Sequence, residues 1–112
     1  MSQITAHILD TTKGRPAKDI TVILFRGEND QWTEIGRGRT NNDGRITDLL
    51  KRDVLTQKGI YKLRFETKDY FDGLNTPAFY PYVDIVFDIQ SGEHYHVPLL
   101  LNPFGYTTYR GS

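Results

Sequence analysis

The sequence predicts an all-β domain, either a sandwich or a barrel, and two observations carry that expectation. Seven short segments rich in β-branched and aromatic residues recur along the 112 residues, and each gap between them holds turn-forming residues or polar loop. Only one stretch, of about eight residues, has helix signals.

The first segment, residues 4–9 (ITAHIL), is followed by Gly14 and Pro16, residues that break regular structure. Residues 20–25 and 32–39 come next, and Asn-Asn-Asp-Gly at 41–44 supplies a turn. Residues 49–57 read as strand or loop. Residues 60–67 alternate, with Tyr61, Leu63 and Phe65 on one face and Lys62, Arg64 and Glu66 on the other, as a half-solvated strand requires. The helical candidate is 67–74, where Asp69 caps or favours the first turn and Gly73 stops the helix. Residues 83–89, 94–101 and 106–110 complete the set, with Ser91-Gly92 separating the penultimate pair.

At this length, residues 1–112 form one domain, able to bury roughly 65% of its unfolded surface and to stand on a hydrophobic core alone. No cysteine is present, so disulfides, thiol nucleophiles and thiolate metal sites are excluded, and a reducing cytoplasm is the expected location. Fourteen basic residues balance fourteen acidic ones without a long run of either, which argues against nucleic acid or an anionic membrane as partner. The N-terminal segment MSQITAHILD has no basic-then-apolar pattern, and no window reaches the ~18 apolar residues of a membrane span. A soluble, unprocessed chain is expected.

The groups able to do chemistry gather near the C-terminus. Side chains two apart on a strand share a face, so His94 and His96 point together, with Tyr95 and Val97 opposite. His7 falls with Thr5 and Leu9, opposite Ile4, Ala6 and Ile8. Three imidazoles make a zinc-hydrolase site conceivable, but no acidic residue that would orient the ligands is visible beside them. Arg45 follows the 41–44 turn directly, so its guanidinium springs from a fixed backbone and is able to hold a planar anion or carbonyl with two hydrogen bonds. The strand-forming residues 106–109 should order the terminus and bring Arg110, Ser112 and the terminal carboxylate to a fixed place. On a regular strand Arg110 and Ser112 share one face and Tyr109 lies with Thr107 on the other. Ser112 has no sharp turn to present it and no helix behind it, which makes it a positioning hydroxyl rather than a covalent nucleophile.

The combination of AHILD at 6–10, GRPA at 14–17, TNNDGR at 40–45, FYP at 79–81 and HYHVPLLLNPFGYTTYRGS at 94–112 resembles the 5-hydroxyisourate hydrolases, the transthyretin-related enzymes of urate breakdown. The Tyr-Arg-Gly-Ser ending is the most specific element, because the hormone carrier transthyretin lacks it. Asn102 and Thr107 stand where the family often has serine. The resemblance implies a transthyretin-like (prealbumin-like) two-sheet β-sandwich of seven or eight strands. It also implies hydrolysis of 5-hydroxyisourate to 2-oxo-4-hydroxy-4-carboxy-5-ureidoimidazoline, without metal or other cofactor. By the same resemblance the catalytic residues are His7, Arg45, His96 and Ser112, and the substrate is held by His7, Arg45, Tyr109, Arg110 and Gly111. His94 is not among them. The implied assembly is a homotetramer, a dimer of dimers with active sites between the dimers. In that scheme His7 and His96 serve the attacking water and the proton relay, either being able to act as base. The alternative is a transthyretin-like carrier that binds a small molecule without turnover.

Overall fold

A computed structural model describes residues 2–112, so of the N-terminal segment read above only Met1 lies outside it. The chain forms β1 (Ile4–Asp10), β2 (Arg15–Pro16), β3 (Thr21–Glu28), β4 (Gln31–Arg39), β5 (Arg45–Ile46), β6 (Gly59–Phe65), α1 (Thr67–Gly73), β7 (Val83–Ile89), β8 (Tyr95–Asn102) and β9 (Gly105–Thr108). The seven longer strands match the seven segments expected, and β2 and β5 are two-residue additions that pair with β1. Residues 49–57 are loop, pinned to the core by Leu49 and to the segment before β1 by Gln3, whose side-chain oxygen accepts the Thr56 N–H at 2.8 Å.

Two sheets face each other. One has the order β2-β1-β8-β9 with β5 also on β1, and the other β4-β3-β6-β7. Alternation decides which side chains meet between them: Ile4, Ala6 and Ile8 from β1, Tyr61, Leu63 and Phe65 from β6, and Tyr95, Val97, Leu99 and Leu101 from β8 form one buried cluster. Each large apolar side chain so buried contributes about 1.5–3 kcal/mol.

The outer face of β6 departs from the half-solvated strand expected. Lys62 is only 7% exposed, its ammonium 4.7 Å from the Phe25 ring centre and 4.6 Å from that of Trp32, and 3.8 Å from Asp84. Arg64 makes two bonds to Asp84, of 2.8 and 2.9 Å, and stacks on Tyr82. The aliphatic stems of these cations cover apolar surface, which parity alone does not show.

β3 and β4 join through Asn29-Asp30, both at positive φ (49° and 63°), as a two-residue hairpin requires. Helix α1 has no side-chain cap; Asp69 acts only through its place in the first turn, and the chain leaves the helix with Asn75 at φ 54°. Phe71 seats α1 in the core, and the Tyr70 hydroxyl donates to Asp10 Oδ2 at 2.8 Å, tying the helix to the end of β1.

The pairing that matters most for chemistry is that of β1 with β8. It is parallel, with Thr5 opposite His96 and His7 opposite Pro98. Residues about 90 positions apart in sequence therefore stand side by side on the outer face of this sheet.

Candidate active site

Four side chains meet on that outer face, three delivered by β1, β5 and β8 and the fourth, His94, by the residue before β8. His7 points away from the core by alternation, and the antiparallel β1–β5 register sets Arg45 opposite it. His96 lies on the neighbouring strand, its ring centre 6.5 Å from that of His7, and His94 is a further 6.2 Å from His96.

Arg45 owes its position to the preceding turn. Asn41 Oδ1 accepts the N–H groups of Asp43 (2.9 Å) and Arg45 (3.0 Å), and Gly44 N–H closes the turn on the Asn41 carbonyl at 2.9 Å. Gly44 is at φ 71°, and a Cβ there would sit 2.4 Å from the Ile8 carbonyl oxygen, so only glycine lets the turn lie this close to β1. Arg45 itself is exposed, and no ion pair engages it among the described residues.

The electrostatics follow from burial and from that cation. The pKa of His7 is lowered, first by burial and then by Arg45, against an opposing pull from Asp43. That of His96 is lowered by burial, then by Arg45, His94 and His7. Both imidazoles are therefore predominantly neutral at pH 7, the state in which a ring nitrogen accepts a proton.

Thr5 is the residue that sequence reasoning missed. It is 2% exposed, and its Oγ1 lies 2.7 Å from His96 Nδ1 and 2.9 Å from His94 Nε2. Two nitrogens of the histidine pair are thus committed to one hydroxyl. Among the described residues no group of three or more His, Cys, Asp or Glu is spaced to hold a metal ion.

The tail reaches the site by an interrupted route. β9 ends at Thr108, yet Gly111 bridges to His96, its N–H donating to the His96 carbonyl at 2.9 Å. Continuing the β8–β9 register sets Tyr109 opposite Pro98, which has no N–H to give, and the Thr108 hydroxyl takes the Pro98 carbonyl instead at 2.8 Å. Gly111 fits closely: a Cβ there would be 2.6 Å from His96 Cδ2.

Gly111, His96, His7 and Arg45 are thus brought together, and Tyr109 stands 58% exposed with its parity toward the same face. The Arg110 guanidinium turns to the other side of the sheet. Across from Val97, on the core side of the sheet, it pairs with Glu93 and lies 4.5 Å from the centre of the Tyr95 ring. It lines a cleft of about 320 Å³ with Ile85, Phe87 and Tyr95, between the free edges of β7 and β9, and His96 and Tyr109 also border that cleft. Ser112 is exposed at the chain end.

Residues 4–111 match the model of the HIUase/Transthyretin family. A probable 5-hydroxyisourate hydrolase of Schizosaccharomyces pombe is 47% identical over 112 residues, spanning 97% of this chain and 90% of that one. The solved 5-hydroxyisourate hydrolase of Klebsiella pneumoniae is 35% identical with a TM-score of 0.85, covering 97% of this chain and 98% of that one. Sea bream transthyretin in complex with thyroxine gives a TM-score of 0.90 at 32% identity, over 97% and 94% of the two chains. Backbone likeness therefore does not separate a hydrolase from a carrier, and the side chains on the outer face must.

Proposed function

Since the chain belongs to the HIUase/Transthyretin family, we propose that its site hydrolyses 5-hydroxyisourate, the reaction named for the relatives above. The observation that carries this reading is the convergence, on one open face, of two imidazoles with a guanidinium that no ion pair engages among the described residues. A carrier needs none of these groups together, whereas opening a cyclic amide uses a proton acceptor, a proton donor and a cation for the developing charge, and this face supplies each.

Water adds to a ring carbonyl of the substrate, the carbonyl oxygen takes up charge, and the ring C–N bond breaks as the nitrogen is protonated. His7 or His96 accepts the proton from water and an imidazole N–H supplies one to the leaving nitrogen, a contribution of roughly a hundredfold to ten-thousandfold. Arg45 holds the charged oxygen through its fork of N–H donors. Tyr109 and the Gly111 backbone border the substrate, Ser112 with its carboxylate orients the set, and Arg110 anchors the tail that bears them. No metal takes part in the scheme.

The assembly belongs to the same proposal. Phe79, Tyr80, Phe104 and Tyr106 are 37–71% exposed, with Phe79 against Tyr80 and Tyr80 against Tyr106 at 4.9 and 5.3 Å between ring centres. Together with the free edges of β7 and β9, this supports a homotetramer, a dimer of dimers that closes the open face. A cytoplasmic location is proposed alongside it and is checked by cell fractionation.

The direct test generates the substrate with urate oxidase and follows its ultraviolet decay with and without the protein. Acceleration is expected, persisting in the presence of chelator. Binding without acceleration would identify a carrier, and loss of activity to chelator with recovery on zinc would move the reaction to a metal.

A further inference from the structure

We propose that Thr5 Oγ1 is the centre of a proton relay from His96 to His94, which gives the buried side of the site an outlet to solvent; this rests on the hydrolytic reading of the His96 site. The geometry forces the coupling. A hydroxyl carries one proton and two lone pairs, and this one is buried with no bonded partner among the described residues except the two ring nitrogens, 2.7 and 2.9 Å away; its proton is satisfied only by donating to one of them while it accepts from the other. The tautomers of the two histidines are therefore fixed jointly.

When Thr5 donates to His94 Nε2, His96 Nδ1–H donates to Thr5, and His96 Nε2 is left with a free lone pair. Let that nitrogen take a proton from the attacking water. The Nδ1 proton of His96 then passes to Thr5 Oγ1, the former Thr5 proton passes to His94 Nε2, and His94 releases its Nδ1 proton to solvent. One proton has entered and one has left, all three groups end neutral, and His96 now carries Nε2–H, the form that donates. Running the relay backward resets it and brings a proton in for the leaving nitrogen.

Burial fits the roles. Thr5 is 2% exposed, His96 is half-buried and His94 is exposed, beside an open hollow of about 240 Å³ that Ser2, Gln3, Arg52 and Gly92 also line. The other titratable and charged groups around the pair are His7 on β1, Arg45 with Asp43 at the β5 turn, Arg52 at the hollow, and Glu93 with its partner Arg110. None of these groups bonds to Thr5 Oγ1.

Thr5 and His94 are positioning residues, acting through His96. Thr5→Val keeps the shape and removes the hydroxyl, Thr5→Ser restores it, and His94→Gln keeps an exposed polar side chain that does not titrate. Turnover of freshly generated 5-hydroxyisourate should fall about tenfold or more in kcat for Thr5→Val and His94→Gln, with KM little changed, and Thr5→Ser should recover most of it. Added imidazole buffer should restore His94→Gln. On the free protein, nitrogen NMR of ring-labelled histidine should show the signals of both His94 and His96 moving in Thr5→Val and not in Thr5→Ser.

A His94→Gln enzyme with undiminished kcat overturns the relay, as do histidine signals that ignore Thr5→Val. Should the parent protein fail to hydrolyse 5-hydroxyisourate, the functional reading falls by itself, while the histidine spectra still decide the coupling.

Discussion

Replacing Gly111 by alanine asks whether the tail is a working part of the site. The new Cβ would sit 2.6 Å from His96 Cδ2 and 3.0 Å from Pro98 Cγ. Carbon atoms rest at about 3.5–4.0 Å, so the ring and the tail must separate by roughly 1 Å. His96 is held on its other side by the Thr5 bond at 2.7 Å, and Pro98 is a buried ring in the middle of β8; the tail is what yields. A displacement of about 1 Å in a catalytic set costs on the order of a hundredfold in rate, equivalent to about 2.7 kcal/mol of barrier. Folding loses less. The one backbone bond at stake, Gly111 N–H to the His96 carbonyl, contributes about 1 kcal/mol, which lowers Tm by roughly 5 °C or less in a domain of this size. The expected result is a kcat/KM down by about two orders of magnitude in a protein that melts nearly normally. An alanine variant with kcat/KM within about twofold of the parent would show that the tail's contact with His96 has no part in turnover.

Other perturbations separate the remaining contributions. Arg45→Ala removes a cation that lowers the pKa of both His7 and His96; both should therefore rise, moving the acid limb of the rate profile to higher pH, and proton NMR titration of the imidazoles checks this without substrate. Because these two histidines titrate lower when folded than their reference of 6.5, the unfolded chain binds more protons just below that pH. Their contribution to stability is complete above about pH 6.5 and is lost as pH falls through the folded values, so denaturant midpoints should decline over that window, and less so in a His7→Gln, His96→Gln double variant. Tyr70→Phe leaves the buried Asp10 without one partner and should cost about 1.5–3 kcal/mol in unfolding free energy with kcat unchanged. An extension beyond Ser112 should impair turnover far more than one placed before Ser2, as assays of matched tagged proteins would show.

Much of this fold was legible because alternation is a local property. The faces of β1 and β6 could be assigned from four or five residues each, and the turn that presents Arg45 was visible in four letters. The β3–β4 hairpin is equally local, since Asn29-Asp30 supplies two residues that tolerate positive φ, although neither turn position is a glycine. What alternation cannot give is which strands become neighbours. That β1 lies parallel to β8, and so that Thr5 stands between two histidines about 90 residues away, depends on how both sheets close over one core. Lys62 makes the same point from the other sheet. Its period assigns it to the outer face correctly, but only Phe25 on the adjacent β3 and Trp32 on β4 beyond it explain why that face is covered.

Pro98 shows how one residue shapes the site without joining it. An unbroken β8–β9 ladder would carry the tail onward as regular strand, bonded at every second residue. With no N–H at the position facing Tyr109, the ladder lapses for Tyr109 and Arg110 and resumes at Gly111. The lapse leaves neighbouring residues under different restraints: Tyr109 stands 58% exposed, while Arg110 is fastened to Glu93 and Tyr95 at the core-side rim. With Arg110 held on one side and the Gly111 N–H held by His96 on the other, the last residues of the chain are fixed from two directions. A histidine and a proline two apart on β8 thereby set both the chemistry of the site and the path of the tail that borders it.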